Sequence, residues 1–332
     1  MKKTFTILSI LAVAVLSGCS NNQQAPKSLL PNISGKAGEV FVVIDKDLWQ
    51  GKPGNDIRDV LAADCPHLPQ KEPLYSLVNV SPSGFGKLFK VHRNIIIYDV
   101  NPQVQKQGIF FRNDVWAAPQ CVIQISAATA DSAEAIFSRN AGIIVSSIEQ
   151  AERDRVISNT RHYEERSLAN QVLEFLGDGT MHFPNGYRLK KKTDDFIWIA
   201  DEKQFTNQGV FIYKYPVADS NPFTTEKIIA KRNEVLMNNV PGMFEGTYMT
   251  TTDFDTPTVN FIKYKGRTFA ETRGQWEVHN DYMGGPFVSH SFYDKSGNNV
   301  IVLECFVYAP KYDKRQYLRQ VESLLYSFEW KE

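Results

Sequence analysis

The sequence contains few of the residues, and none of the short motifs, that mark the common catalytic and metal centres. Its 332 residues include only four cysteines and six histidines, with no Cys-x-x-Cys, His-Glu-x-x-His or Gly-x-Ser-x-Gly pattern. A zinc ribbon, a helical zinc hydrolase site and a nucleophile elbow are therefore not predicted. Segment 81–87, SPSGFGK, lacks the spacing of a P-loop, so it does not predict a phosphate cradle. The sequence predicts no catalytic residue, metal or cofactor.

A surplus of one charge sign is also missing. The 37 Lys and Arg residues equal the 37 Asp and Glu residues in number. Removal of Lys2 and Lys3 with a signal peptide would leave 37 − 2 = 35 basic against 37 acidic residues. A near-neutral chain gives no electrostatic reason to expect a nucleic-acid partner.

Long apolar runs are absent except at the N-terminus. There, Phe5 to Leu16 follows the positive residues Lys2 and Lys3. The run is shorter than the roughly 20 apolar residues that span a bilayer, and its flanks are typical of a secretory signal. The next residues, Leu16-Ser17-Gly18-Cys19, resemble the lipobox of bacterial lipoproteins. The resemblance implies cleavage after residue 18 and a lipid-modified Cys19 that anchors the chain to a membrane; a plain signal peptide with a chance cysteine is the alternative.

The residues after Cys19 indicate a location by the same resemblance. Ser20, in place of the aspartate that favours inner-membrane retention, favours the outer membrane. Because no acidic run follows Cys19, the periplasmic face is favoured over the cell surface. The polar residues 19–37 are expected to form a flexible tether.

Three cysteines remain once Cys19 is lipidated: Cys65, Cys121 and Cys305. An odd number argues against a framework of disulfides. A Cys65–Cys121 pair is possible in an oxidising compartment, and the spacing does not decide it.

The body of the chain alternates strand and helix patterns in an α+β arrangement. We predict two similar halves of mainly antiparallel sheet packed with helices, over residues 38–177 and 178–332. A helical stretch from about residue 131 to 176 is expected to break near Gly142 and near Ser158. A stripe of apolar residues predicts that the last helix faces a sheet; its members are Tyr317, Leu318, Val321, Leu324, Leu325 and Phe328.

The chain resembles uncharacterised lipoproteins of Bacteroidetes that carry a domain of unknown function. The likeness rests on Cys19 and on segments 113–120 (NDVWAAPQ), 273–278 (RGQWEV) and 284–310. The second half is also faintly similar to the PsbP-like α/β/α sandwich. Neither resemblance implies an activity.

The segment 276–290, WEVHNDYMGGPFVSH, concentrates candidate functional residues. Glu277, His279 and Asp281 are the residue types of a metal or acid–base site, and Gly284-Gly285-Pro286 is expected to bend the chain. Alternation along a strand places Glu277 and His279 on one side, which equally describes a wet sheet face. The second interpretation is preferred.

His290 is expected to be a core residue. A hairpin turn at residues 295–298 predicts that His290 lies opposite Leu303 and Val288 opposite Cys305. We therefore expect a buried histidine satisfied by one hydrogen bond, and an inert Cys305 thiol.

Three functions remain open from the sequence. The preferred one is a non-catalytic envelope protein that binds a partner or scaffolds an assembly; the others are a hydrolase of an envelope polymer and a glycan-binding module. A glycan module requires exposed aromatic rings, and Trp49 and Tyr282 are expected in exposed loops. The candidate binding residues are Trp49, Arg273, Trp276, Glu277, His279, Asp281 and Tyr282.

Overall fold

Two β-sheets organise the fold in the computed structural model, which describes residues 29–218 and 220–331. The signal peptide, Cys19 and the first half of the proposed tether lie outside these residues. The elements of the first part are β1 (Glu39–Val43), α1 (Lys46–Gln50), α2 (Lys52–Leu61), β2 (Ser76–Val80), α3 (Lys87–Lys90), β3 (Asn94–Val100), β4 (Gly108–Asn113), β5 (Cys121–Ala127) and α4 (Ala130–His162).

The second part continues with shorter helices and longer strands. Its elements are α5 (Arg166–Leu176), β6 (Gly179–Thr180), β7 (Arg188–Lys192), β8 (Phe196–Lys203), β9 (Thr206–Pro216), α6 (Thr225–Asn239), β10 (Met249–Thr251), β11 (Thr258–Tyr264), β12 (Arg267–Val278), β13 (Gly284–Tyr293), β14 (Asn299–Tyr308), α7 (Arg315–Leu325) and β15 (Glu329–Trp330).

The first sheet has the order β2-β1-β3-β5-β4. Its β1–β2, β1–β3 and β3–β5 pairings are parallel, and only β4 runs antiparallel to its neighbour β5. The prediction of a mainly antiparallel sheet in this half is therefore wrong. The reason is visible in the β1, β3 and β5 sequences, which are nearly continuous apolar runs covered on both faces, as parallel strands require.

Helix α4 is longer and more regular than expected. It runs unbroken through Gly142 for 33 residues, and the chain breaks only at residues 163–165 before α5. Thr129 caps its start, since the Thr129 hydroxyl accepts a hydrogen bond from Ser132 N at 3.2 Å. One glycine costs a helix about 1 kcal/mol. The burial of Ile144 and Ile148 against the first sheet outweighs that cost.

The second sheet has the order β10-β12-β13-β14-β9-β8-β7, with β11 also paired to β12. All of these pairings are antiparallel. The predicted hairpin register is confirmed, because His290 lies opposite Leu303 and Val288 opposite Cys305.

Gly284-Gly285-Pro286 does not form the expected bend, because it begins β13 and the chain turns at residues 279–283 instead. Gly285 is needed inside the strand, since a side chain there would overlap the Val307 carbonyl oxygen.

Helices cover both faces of the second sheet. One core lies between this sheet and the helices α5 and α7, and includes Leu318, Val321 and Leu324 of the predicted stripe. A second core lies on the opposite face under α6. Because α5 packs on the second sheet, it belongs physically with the second half, although the division at residue 177 stays a prediction. The α+β class is confirmed, but a five-stranded, mostly parallel sheet and an eight-stranded antiparallel sheet are not similar halves.

Polar contacts join the two halves. The buried Glu72 carboxylate accepts hydrogen bonds from the backbone N–H groups of Lys314 and Arg315, at 2.6 and 2.9 Å, and so caps α7 from the other half. Arg319 of α7 pairs with Glu149 of α4 at 2.6 Å. Among residues 29–218 and 220–331, no helix combines the length and the apolar character needed to cross a membrane.

Candidate functional site

A groove of about 470 Å³ lies where the two halves meet, beside the ends of β12, β13 and β14. Pro69 and Gln70 of the first half form one side. The loop 279–283 and the residues Phe254 and Tyr308 of the second half form the other. The groove brings four candidate residues together: Trp276, Glu277, Asp281 and Tyr282.

The pleat of β12 positions the groove residues. Trp276 and Val278 point into the core under α6, as the alternation predicts. Trp276 is only 2% exposed and its indole N–H donates to Val307 O at 3.3 Å, so it forms a wall of the groove and not a free platform. Glu277 is partly exposed at the groove.

A tight loop places Asp281 and Tyr282 at the rim. Asn280 has a positive φ of 61°, a conformation that asparagine tolerates well, and Val278 N donates to Met283 O to close the loop. Asp281 Oδ1 accepts from Tyr282 N at 2.6 Å. The Tyr282 side chain is fully exposed.

The groove carries uncompensated negative charge. Within the part of the chain that the structure describes, neither Glu277 nor Asp281 has a cationic group within ion-pairing distance. The buried Lys314 ammonium donates to Gln70 Oε1 at 2.6 Å and to Tyr312 O at 3.3 Å. Burial lowers the pKa of Lys314.

Exposed apolar side chains lie at the groove and near the cavity that adjoins it. Phe254 is 96% exposed on the loop after β10, and Met243 and Phe244 are 78% and 66% exposed on the loop before it. A smaller apolar cavity of about 250 Å³ adjoins the groove and shares Trp276, Met283 and Tyr308 with it. Met243 lines this second cavity. We call Met243, Phe244, Phe254 and Tyr282 the apolar rim.

Three of the sequence candidates lie elsewhere. His279 is exposed and stacks on Tyr248 at 4.9 Å, outside the groove. Arg273 forms salt bridges with Glu271 and Glu322, and its Nη2 lies 2.5 Å from Glu322 Oε1. Its role is therefore structural. Trp49 is not in an exposed loop.

Trp49 lies in α1, where it packs against the first core, and Arg58 covers its ring at 4.5 Å. The exposed-loop expectation for Trp49 is wrong because a short helix turns its ring towards the sheet.

The sequence analysis missed the apolar rim apart from Tyr282. A signal was available, since Phe254 stands between two aspartates, and Met243 and Phe244 follow a Pro-Gly step. Apolar residues inside turn sequences have no core face to occupy, so they are expected to be exposed.

No group of three or more His, Cys, Asp or Glu side chains within residues 29–218 and 220–331 is arranged to hold a metal ion. Cys65, Cys121 and Cys305 are separate free thiols. Burial raises the pKa of Cys65 and of Cys121 to about 11, and that of Cys305 well above its ordinary value. Such thiols are weak nucleophiles.

His290 is a core residue, as predicted, but not a hydrogen-bonded one. It is fully buried and stacks on Phe269 at 4.0 Å. Its Nε2 lies 3.8 Å from Glu271 Oε2, and neither ring nitrogen has a hydrogen-bond partner among the described residues. Burial lowers the pKa of His290 to about 4.

The buried His290 should make folding stability depend on pH. Its pKa is about 4 in the folded chain against an ordinary 6.5, so protons favour the unfolded state. The neutral His290 therefore contributes fully to the free energy of unfolding above pH 6.5. As the pH falls from 6.5 towards 4, the free energy of unfolding decreases by about 3 kcal/mol in total. His290→Phe keeps the ring stack and should remove that part of the pH dependence, measured by urea unfolding between pH 7 and pH 4. The exposed His279→Phe serves as the control and should follow the wild type; equal slopes in all three proteins would contradict the assignment.

Comparison with protein-family models divides the chain near residues 161–166, where α4 ends and α5 begins. Two models match. Residues 166–327 match the family described as Domain of unknown function (DUF4837). Residues 33–161 match the family described as Domain of unknown function (DUF8532). The two ranges meet at the break between α4 and α5, and the groove takes residues from both. The expected likeness to a domain of unknown function is confirmed to that extent.

Other comparisons add little. No curated protein matches the sequence significantly. Among solved structures, a mutant of the protein Mog1 is 11% identical with a TM-score of 0.30, and the match covers 46% of this chain and 90% of that one. The Saccharomyces cerevisiae Ran-binding protein Mog1p is 10% identical with a TM-score of 0.31 and the same coverage. A Bacteroides thetaiotaomicron structure is 10% identical with a TM-score of 0.26, covering 46% of this chain and 45% of that one. These likenesses are too weak to transfer a fold or a function.

Proposed function

We propose that this chain is a non-catalytic binding protein of the bacterial cell envelope, anchored by lipid on Cys19 at the periplasmic face of the outer membrane. Its ligand is a protein partner that docks on the groove and the apolar rim. The observation that carries the proposal is the rim itself. Phe254 and Tyr282 stand exposed in the lining of the groove, and the exposed Met243, next to Phe244 in the chain, lines the adjoining cavity.

Clustering distinguishes the rim from ordinary surface. Single exposed apolar residues are normal, whereas several around one concave surface are typical of an interaction site. Aromatic residues and methionine are also enriched at protein interfaces, where they enter pockets on the partner. The rim supplies three aromatic rings and one thioether.

The charge of the groove defines the partner further. Glu277 and Asp281 are not neutralised within the described residues, and Asp253 and Glu245 adjoin the rim residues Phe254 and Phe244 in sequence. A complementary surface carries basic residues around apolar recesses. We therefore expect a partner with a basic, pocketed face.

The groove geometry favours binding over catalysis. It assembles two carboxylates but not the histidine expected beside them, because His279 stacks on Tyr248 outside the groove. The buried pair of His290 and Glu271 is sealed beneath α7, where a substrate has no access.

Glycan binding is a second candidate, favoured by one observation. Phe254 and Tyr282 are two exposed rings on the same groove, which is the arrangement that sugar stacking requires. The protein-binding proposal is preferred because Met243 and Phe244 extend the patch with side chains that have no polar group for sugar hydroxyls.

A crosslinking experiment on the membrane-anchored protein tests the proposal. The wild type should capture a specific envelope protein, and the Phe254→Ala/Tyr282→Ala variant should capture it about tenfold or more weakly, as for interface hot spots. Glu277→Lys/Asp281→Lys should weaken capture of the same protein by repelling its basic face. Phe261→Ala is the matched control, since Phe261 is 66% exposed on β11 away from the groove.

Two further arms separate the parts of the proposal. Cys19→Ala should release the chain from the membrane fraction, and retention there would contradict the lipid anchor. Peptidoglycan fragments and envelope polysaccharides are titrated against the same variants. One outcome would contradict the protein-binding proposal and support glycan binding. In it, a glycan binds saturably to the wild type but not to Phe254→Ala/Tyr282→Ala, and all variants capture protein equally.

A further inference from the structure

A third cavity, smaller than the other two, lies on the far side of β12 from the core under α6, at the strand's other end. It encloses about 180 Å³ between the β11–β12 turn, the end of α7 and the α4 residue Ile157. Three cationic side chains, Arg161, Lys265 and Arg267, line it together with one carboxylate, Glu329. The lining therefore carries a surplus of positive charge.

Arg267 has no carboxylate partner within the described residues. Its Nη2 makes only a long 3.4 Å hydrogen bond to Leu325 O, and its Nη1 is buried without a partner. Its guanidinium lies 4.5 to 4.9 Å from the ring centroids of Phe269, Phe292 and Phe328. An arginine usually satisfies several of its five donors, so a buried unused N–H group is rare.

The one carboxylate in the cavity is already engaged. Glu329 Oε2 pairs with Arg161 at 2.8 Å, and Glu329 Oε1 pairs with Lys331 at 2.5 Å and lies 3.5 Å from His182 Nε2. Lys265, by contrast, is exposed on the turn between β11 and β12 and makes no ion pair in the described chain. Arg267 and Lys265 thus present two uncompensated charges to one cavity.

The walls of the cavity are aromatic. Tyr264, Tyr326, Phe328 and Trp330 line it, and Phe328 and Trp330 hold each other edge to face at 4.9 Å. Aromatic walls accommodate a flat or apolar body, while a guanidinium recognises the planar oxygens of a carboxylate or a phosphate. The cavity is large enough for a single small ring.

We propose that this cavity binds a small organic anion, with its carboxylate or phosphate on Arg267 and Lys265 and its apolar body between the aromatic walls. The site is separate from the groove and is independent of the function proposed for it. The ligand would supply the anionic partner that Arg267 lacks among the described residues.

Titration of the whole chain with benzoate and phenyl phosphate, followed by Trp330 fluorescence and by calorimetry, tests the proposal. At least one of the two anions should bind saturably, and more tightly than benzamide, which has the same ring without the charge, and than inorganic phosphate, which has the charge without the ring. Preference between the two anions tells a carboxylate ligand from a phosphate ligand. Trp330→Phe should abolish the fluorescence signal and leave the calorimetric signal.

Matched variants identify the donors. Arg267→Met keeps the aliphatic stem and should weaken binding about tenfold or more, the effect of losing a charged hydrogen bond. Lys265→Ala changes only an exposed side chain and should weaken binding severalfold, whereas Lys263→Ala, two residues earlier on β11, should not. If Arg267→Met fails to fold, Lys265→Ala still decides. Equal binding of benzamide, equal binding by Lys265→Ala, tighter binding of inorganic phosphate or no saturable binding of either anion would overturn the proposal.

Discussion

Replacing Arg232 with methionine is expected to lower the free energy of unfolding by about 3–5 kcal/mol, the cost of stranding a buried charge. Arg232 of α6 and Glu304 of β14 are both fully buried. Arg232 Nε donates to both Glu304 carboxylate oxygens at 3.0 Å, and Nη2 donates to Oε1 at 2.8 Å. Methionine fills much of the space but leaves the carboxylate without a partner. Urea unfolding at neutral pH, followed by circular dichroism, measures the loss.

The remaining carboxylate gives the variant a diagnostic pH dependence. Burial already raises the pKa of Glu304 in the wild type. Without Arg232 the pKa of Glu304 should rise further, so protonation favours the folded variant and its deficit should shrink as the pH falls towards the ordinary pKa of a glutamate. The double change Arg232→Met/Glu304→Met removes both charges and should recover most of the loss. Lys231→Ala, which removes a partly exposed charge from the same helix, should stay within about 0.5 kcal/mol of the wild type. An Arg232→Met deficit below 1 kcal/mol would show that the pair contributes little.

The Arg232–Glu304 ion pair is connected to the groove through hydrogen bonds to β10. Arg232 Nη1 donates to Thr251 Oγ1 at 2.8 Å, and the neighbouring Asn233 Oδ1 accepts from Thr251 N at 3.0 Å. These bonds fix β10, and the loop that follows β10 carries Phe254 of the apolar rim. The buried charges therefore hold the edge of the binding surface as well as the core.

One hairpin of the second sheet, β13–β14, could be predicted from the sequence in detail because its signals are local. A four-residue turn fixed the β13–β14 register, and a period of two then assigned each side chain to a face. The stripe on α7 identified a helix over a sheet by the same logic. Local patterns also placed Trp276 and Glu277 on opposite sides of β12.

The first sheet could not be predicted in the same way. Apolar runs such as β3 and β5 fit either a parallel or an antiparallel sheet, and strand direction depends on the connecting segments. The expectation of antiparallel pairing in both sheets assumed that the two halves are similar. Long-range packing decided otherwise, because α2 and α4 cover one face of these strands.

The candidate site could be predicted only where its residues are close together in the sequence. Trp276, Glu277, Asp281 and Tyr282 lie within seven residues, so any groove at that hairpin collects them. Gln70 and Lys314 reach the same groove from distant parts of the chain, which no pattern in one sequence indicates. Arg273 was a binding candidate, but it donates to Glu322, 49 residues later in the chain. A contact between residues so far apart could not be read from the sequence, and it gives Arg273 a structural role.

Replacing Glu152 with alanine is expected to cost the first half about 3–5 kcal/mol, because several buried donors lose one acceptor. Glu152 of α4 is 1% exposed. Its carboxylate accepts from Gly38 N at 3.1 Å, from Asn94 Nδ2 at 2.7 Å and from Arg93 Nη2 at 2.6 Å. Arg155 Nη1 lies 3.2 Å from the same group. These donors sit next to the starts of β1 and β3, so one side chain fixes two parallel strands to the helix that covers them.

Hydrogen exchange localises this effect where unfolding curves do not. Amides of β1 and β3 should exchange faster in Glu152→Ala, whereas those of β13 and β14, in the other sheet, should change less. Glu152→Gln keeps one acceptor oxygen and should lose less stability than alanine. Asp154→Ala, exposed on the same helix, should leave both sheets unchanged. Uniform loss of protection in both sheets would instead mean that the halves unfold together, with the Glu149–Arg319 pair and the Glu72 cap of α7 coupling them. A loss under 1 kcal/mol would mean that Arg93 and Arg155 find other acceptors, Arg155 already donating to Pro119 O and Arg93 O at 3.0 and 2.8 Å.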